Sequence, residues 1–251
     1  MTYSTMRNTK KRAVLEVDAL EKSYGTIQAV NRVSFDVLPG ECLALLGANG
    51  AGKTTTLQML CGVLAPDAGT ARIDGYDVQK ESRRAKAALA YLPDEPLLYD
   101  KLRPLEYLQF VSALWRMDMG RAADRSERLL AEMGLWDKRY SYCETLSRGM
   151  RQKLAVCGAL VHEPRLLVLD EPLTGLDVKA AHEVKEILRG LLRSGRSILL
   201  TTHIVDIAEQ LADRIAVIRA GSIVKSGTIE HFKSSTPEED GKLESAVISL
   251  W

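Results

Sequence analysis

Apolar positions fall along the chain in short alternating or continuous runs at first, then at helical spacing, then in regular alternation of the two. Residues 13 to 46 predict three strands, AVLEVDAL, VNRVSFDVL and, after the Pro39-Gly40 turn, ECLALLG. TTTLQMLCGVL reads as a helix. From about 100 to 160 strand signals vanish. Pro104 opens a helix carrying Leu105, Leu108, Val111, Leu114 and Trp115 on one face. ADRSERLLAEMGL forms a second helix ending near Gly134, and a third begins at Ser147. Beyond it RLLVLDE, SILLTTH, RIAVIRAG and SIVKSG predict strands, and AAHEVKEILRGLL and VDIAEQLA predict helices. That alternation implies a parallel sheet with helices on its faces, interrupted at about 95–160 by an inserted helical subdomain. The expected organisation is an arm at 1–12, one domain at 13–234 and a tail at 235–251. The tail is polar and acidic, and Thr236-Pro237-Glu238-Glu239 suits the start of a short helix.

Composition narrows this picture only in places. The 251 residues, 46% hydrophobic and 27% charged, suit one large domain with ample core. A net charge of +1 supplies no global field for nucleic acid or an anionic surface. The basic arm of Arg7, Lys10, Lys11 and Arg12 reads as a solvated terminus. Cys42, Cys61, Cys143 and Cys157 lack metal or redox spacing and sit in mostly apolar company, which predicts buried free thiols in a reducing compartment. No segment has the length and apolarity of a membrane span or a secretion signal. The expectation is a soluble, intracellular chain; at a membrane, another polypeptide would do the spanning.

Chemistry enters with GANGAGKTT, Gly47 to Thr55, which fits G-x-x-x-x-G-K-[ST] between an apolar strand and a helix. Its glycines let backbone N–H groups converge on phosphate oxygens at the positive end of a helix. Lys53 adds a charge for β- and γ-phosphates, and the Thr54 hydroxyl can ligate Mg²⁺. LLVLDEP supplies the complementary half: Asp170 at a strand end near the metal, then Glu171 facing elsewhere and able to polarise an attacking water. His203 follows the next parallel strand, where ligand sites of such sheets lie, within reach of a γ-phosphate. LSRGMRQK adds a second anion nest: Ser147 caps a helix, and Arg148 and Gly149 open it.

In order, GANGAGKT, LSRGMRQK, LLVLDEP, TGLD and TTH resemble the nucleotide-binding subunits of ATP-binding cassette (ABC) systems, over about residues 13 to 230. The resemblance implies an α/β fold: a P-loop NTPase core with a mostly parallel sheet, an N-terminal antiparallel β-subdomain and the inserted α-helical subdomain. It implies ATP and Mg²⁺ as cofactors, with Gly47, Ala48, Asn49, Gly50, Ala51, Gly52, Lys53, Thr54 and Thr55 cradling the phosphates. It further implies a head-to-tail dimer with a second cassette, identical or different, sandwiching two ATPs. Ser147 and Gly149 would then bind the γ-phosphate held by the partner's Lys53, and Asp177 would cross the same interface. Tyr24, in KSYGTIQAV, matches the aromatic that stacks on adenine.

Two departures from the family stand out. Arg148 and Met150 replace the usual Gly and Gln of Leu-Ser-Gly-Gly-Gln, a variant that resembles the export-type branch. Asp94 stands where the family has Gln; it is either an oxygen ligand to Mg²⁺ or a loop cap beside Pro93. The resemblance implies a peripheral ATPase on the cytoplasmic face of the membrane, coupled to an integral membrane subunit. That subunit's docking groove would take Leu97, Leu98 and Tyr99 as anchors, unless these belong to the subdomain core. The alternative is a soluble relative acting on ribosomes or nucleic acid. Those usually carry two cassettes or long coiled-coil arms, whereas this chain has one cassette, no heptad arm and no basic stripe, so no nucleic-acid partner is expected.

Overall fold

The computed structural model describes residues 12–234, 243–248 and 250. Arg7, Lys10, Lys11 and Thr236 to Glu239 therefore lie outside the described residues.

Two sheets form the centre. The first pairs β1 (Leu15–Tyr24) with β2 (Ile27–Val37) and with β4 (Ala68–Ile73), all antiparallel, and β4 carries the short β5 (Tyr76–Asp77) at its edge. The second has β3 (Cys42–Leu46), β6 (Leu89–Leu92), β7 (Leu166–Asp170), β8 (Ser197–Thr202), β9 (Arg214–Arg219) and β10 (Ser222–Thr228), in the spatial order β10-β9-β3-β8-β7-β6. Its first five strands are parallel; only β10 runs against β9.

The continuous apolar runs of β3, β7 and β8 arise because both faces of this sheet are covered. Alternate residues serve separate cores. Leu43, Leu45, Val168 and Leu199 pack toward α1 (Lys53–Leu60) and the antiparallel sheet. Ala44, Leu46, Leu167, Leu169 and Leu200 face the opposite core. Into that core run the subdomain helices α3 (Pro104–Leu114), α4 (Met119–Glu132) and α5 (Arg148–Leu160), with α6 (Val178–Arg193) and α7 (Val205–Leu211). The inserted subdomain thus shares a core with the sheet it interrupts.

Strands 68–73 and 89–92 and the helix α2 (Ser82–Ala87) carry no strong sequence signal. Β4 is largely exposed with little apolar alternation, and β6 has only four residues. Helix α1 stops at Leu60, four residues short of the predicted end, because Gly62 turns the chain in the left-handed region at φ +62°. All four cysteines are buried and free. Beyond α8 (Ile229–Ser234), the tail contributes α9 (Leu243–Ile248), whose Leu243 and Val247 are fully buried against the sheet-side core. The packed unit therefore continues past residue 234.

The parallel register has one functional consequence. Leu46 lies opposite Thr202, and Asp170 opposite Thr201. The segments leaving β3, β7 and β8 therefore emerge side by side at one sheet edge.

Leu130 is fully buried in α4 within the core shared by subdomain and sheet. Leu130→Ala should destabilise the domain by about 2–5 kcal/mol. Urea titration followed by circular dichroism should show one transition moved to lower midpoint; two separated transitions would mean the subdomain folds independently.

Candidate functional site: a phosphate cradle at the carboxyl edge of the sheet

The loop leaving β3 is held from both sides. The Gly47 N–H donates to the Thr202 carbonyl, and the Gly221 N–H donates to the Ala51 carbonyl. Two glycines are obligatory here. A Cβ on Gly47 would stand 2.5 Å from the Ile218 carbonyl oxygen, and one on Gly52 2.4 Å from that of Ala29. Gly52 also sits at φ +103°, a conformation side chains rarely adopt. It caps α1, so the first N–H groups of that helix open toward the loop.

Lys53, 6% exposed, bends back over this loop. Its Nζ donates to the carbonyls of Gly47 (2.7 Å) and Ala48 (3.2 Å) and stands 3.4 Å from Glu171 Oε1. Asp170 is buried and accepts a 2.5 Å hydrogen bond from the Thr201 hydroxyl. The same hydroxyl oxygen accepts the Glu171 N–H at 3.1 Å. Glu171 itself adopts φ +47°. For a non-glycine residue that costs about 1–3 kcal/mol, and it turns two consecutive acids away from the alternation of an extended strand. The Glu171 carboxylate then meets three groups: Lys53, His203 Nδ1 at 3.0 Å and the Thr174 hydroxyl at 3.3 Å.

Asn49, Gly50, Gly52, Lys53, Thr54 and Thr55 line one cleft of about 240 Å³ with Asp94, Asp170, Glu171 and Ala29 of β2. Loss of hydration, then the neighbouring Asp170 and Glu171 charges, push the Asp94 carboxyl above the usual aspartate range. Among the described residues no three His, Cys, Asp or Glu side chains converge as a metal cage. The donors present are a hydroxyl and separated carboxylates, and Mg²⁺ fits such a set because it uses one or two carboxylates together with phosphate oxygens.

Of the residues picked out in the sequence, His203 joins this group through Glu171. Tyr24 stands half-exposed where β1 turns into β2, with Lys22 Nζ 6.0 Å above its ring. Ser147, Gly149 and Asp177 form a second group outside the cleft lining. Ser147 caps α5 by accepting the Met150 N–H (3.3 Å), and Asp177 caps α6 by accepting the Ala180 N–H (2.8 Å). The two helix starts touch, and a Cβ on Gly149 would fall 2.7 Å from Ala180 Cβ. Gly149 is therefore required for packing α5 on α6. Arg148, with no assigned direction from sequence, donates through Nη2 to the Thr174 carbonyl at 3.0 Å. Sequence reading missed the roles of Thr201 and Thr174: the first acts across the β7–β8 pairing, and the second reaches back three residues to Glu171 in a turn whose closure the TGLD motif does not reveal.

Comparison with known proteins identifies what this arrangement belongs to. The family model described as ABC transporter matches residues 30–174, more than half the chain. The chain belongs to the ABC transporter family. The Nod factor export ATP-binding protein I of Paraburkholderia xenovorans (strain LB400) is 41% identical over 86% of this chain and 71% of that protein. The daunorubicin/doxorubicin resistance ATP-binding protein of Streptomyces peucetius is 39% identical over 91% and 69%. A solved ATP binding subunit of an ABC transporter superposes with TM-score 0.86 at 31% identity, over 94% of this chain and 99% of that one. As a member of this family the protein carries an ATP-binding domain, and the α/β fold expected from its motifs is the fold observed.

The ABC domain has a second, larger opening. A groove of about 610 Å³ runs between β6, α3 and α5, lined by Tyr91, Leu97, Tyr107, Val111, Trp115 and His162 among others. Leu97 is 86% exposed there, whereas Leu98 packs against the core and Tyr99 lies edge-on to Phe110 at 5.1 Å. The three consecutive apolar residues thus divide between groove, core and subdomain surface. Trp115 stacks on His162 at 3.9 Å, and His162 Nε2 donates to the Leu89 carbonyl at 2.8 Å. Burial holds this imidazole below its ordinary pKa, so it is neutral at pH 7.

Asp94 yields a pH-dependent test. Its folded-state pKa lies above the unfolded value of about 3.9. The ionised side chain therefore destabilises the fold fully above the raised value, and not at all below the unfolded one. In nucleotide-free protein Asp94→Asn should raise the Tm at pH 7, and the gain should fade as the pH drops toward about 4. A pH-independent difference would show that ionisation of Asp94 is not its source.

Proposed function

We propose that this chain is the ATP-hydrolysing subunit of a membrane exporter. It works as a dimer with a second cassette, identical or different, peripheral on the cytoplasmic face. The convergence of Lys53, Asp170, Glu171 and His203 at one sheet edge carries this reading. Lys53 binds the β- and γ-phosphates. An incoming phosphate competes for its ammonium and thereby releases Glu171 from the 3.4 Å ion pair. Glu171, freed on that side and still held by His203, accepts a proton from the attacking water. His203 also offers a ring nitrogen toward the γ-phosphate. Thr54, Asp170 and Asp94 would hold Mg²⁺, which when bound neutralises charge on the phosphate oxygens.

Tyr24, exposed beside the cradle strand β2, stacks on adenine. Ser147, Gly149 and Asp177 do not line this cleft, which supports their service to a partner's nucleotide. Two helix starts there present N–H groups to a γ-phosphate held by the other Lys53. We assign the spanning part to a separate integral membrane subunit; among the described residues no helix is long and apolar enough to cross a membrane. The groove around Leu97 and Trp115 suits an amphipathic helix of that subunit. The relatives named for Nod factor export and daunorubicin/doxorubicin resistance support export as the direction. A net charge of +1 gives no support to nucleic acid as partner.

Glu171→Gln should lower ATP turnover by about 10²–10⁴-fold while ATP binding persists and dimers accumulate. Colorimetric phosphate release and size-exclusion chromatography with Mg·ATP measure both; undiminished release removes Glu171 from catalysis. The protein should co-purify with an integral membrane protein from detergent-solubilised membranes. Recovery solely as a free species would overturn the transporter assignment.

A further inference from the structure

Arg148 occupies the position where the family usually has glycine, directly after the Ser147 cap. The residue is exposed, yet its guanidinium folds back onto the chain. Nη2 donates to the Thr174 carbonyl at 3.0 Å, and Nη1 lies over Gly175, where a Cβ would come within 2.2 Å of it. Gly175 is at φ +69°, so both its conformation and its missing side chain make room for the arginine. Thr174 is in turn the residue whose hydroxyl donates to Glu171 Oε2 at 3.3 Å.

Three further contacts fasten the same two segments. The Gln152 side-chain amide donates to the Pro172 carbonyl at 3.1 Å, buried; Gly149 seats against Ala180; and Lys153 pairs with Glu183 at 2.9 Å. Helix α5 and the segment 172–183 are therefore fastened together at several points. Arg148 follows Ser147 in the chain and binds the residue whose hydroxyl meets Glu171.

From this geometry we infer that Arg148 is a positioning residue for Glu171 of its own chain, through Thr174, and so couples the two ATP sites of a dimer. The inference rests on the proposed function, in which Glu171 activates water at the chain's own ATP while Ser147 meets the partner's. A γ-phosphate arriving at Ser147 fixes the first turn of α5, and Arg148 passes that restraint to the Thr174–Gly175 backbone and the carboxylate above it. Lysine cannot replace this contact fully, because it lacks the planar fork that lies flat on Gly175 while donating sideways. The competing role is direct: Arg148 swinging out to bind the partner's γ-phosphate itself.

Mixed dimers separate the two roles. Two differently tagged copies are co-expressed and purified through both tags, and ATP turnover is measured by phosphate release. In the first arrangement one copy carries Arg148→Ala and the other Glu171→Gln. Only the ATP of the Arg148→Ala copy can then react, facing an intact signature. In the second arrangement one copy carries both substitutions and the other is native. The reacting ATP then sits with an undisturbed Glu171 but faces the altered signature.

The inference predicts that the first arrangement is slower than the second by about tenfold or more, the scale of a mispositioned catalytic group. The second should match a dimer carrying Glu171→Gln alone in one copy. Both contain the same substitutions, so a folding defect would affect them equally. A slower second arrangement assigns Arg148 to the partner's phosphate, and equal rates assign it to neither; each overturns the inference while leaving Glu171 in place. Native turnover in a dimer with Glu171→Gln in both copies would overturn the catalytic reading, and the inference with it. Arg148→Lys in the first arrangement should recover part of the loss.

Discussion

Everything at the phosphate cradle depends on the parallel register of three strands. Β3, β7 and β8 pair so that Leu46 faces Thr202 and Asp170 faces Thr201. That alignment lets the Gly47 N–H reach the Thr202 carbonyl, and it sets one threonine hydroxyl between the Asp170 carboxylate and the Glu171 N–H. A slip of one residue in β7 would send Asp170 to the opposite face of the sheet and break both bonds. Burial of both sheet faces prevents the slip, since it would exchange the residues of two separate cores. Strain at Glu171 is tolerated for the same reason: the bond from its N–H to Thr201 and the packed strand before it leave no room to relax.

Electrostatics explains why the cleft suits a nucleotide carried with a divalent cation better than a bare anion. Three carboxylates, Asp94, Asp170 and Glu171, line it with Lys53. The lysine is committed to Glu171 and to the carbonyls of its own loop. A buried pair of this kind is worth little as net stability, because desolvation offsets much of the attraction. It is therefore an interaction that phosphate oxygens can replace at modest cost. Loss of hydration first, and the Asp170 and Glu171 charges after it, push the Asp94 pKa up, and a bound cation would relieve the charge part of that shift.

Legibility in the sequence followed the range of each interaction. The loop of the cradle, the acids at the end of β7 and the helix start at Ser147 are written in contiguous residues, and all of them form, whereas the helix expected from Ala180 starts earlier, capped by Asp177. The double-sided sheet was legible because RLLVLDE and SILLTTH are apolar throughout rather than alternating. Strands β4, β5 and β6 were not, since their residues gain order from neighbours far along the chain rather than from their own pattern. The tail looked polar because Glu238, Glu239, Asp240 and Lys242 precede the short apolar stretch, and only the burial of Leu243 and Val247, one helical turn apart, reveals its packing face. Thr201 and Thr174 escaped notice because a hydroxyl's partner is set by register and loop closure. LLYDKL likewise gave no sign that consecutive apolar residues would divide among a groove, a core and a surface.

Gly149 and Arg148 show how a departure from a family pattern is absorbed. Glycine in an anion nest invites the explanation that phosphate must approach closely. The contact actually made is with Ala180, so any side chain there would first push α5 off α6. That packing brings the start of α5 within reach of the loop after Glu171, and Arg148 then spans the remaining gap to Thr174. With glycine at 148 the same two helix starts would meet, and Gln152 would still bind the Pro172 carbonyl, but the side-chain bond to Thr174 would be lost. The substitution adds a tether where the fold already supplies proximity, which is why it can be accommodated without disturbing the Ser147 cap or the cradle. Its consequence is rigidity of one short segment, and that segment begins at the acid on which the proposed chemistry turns.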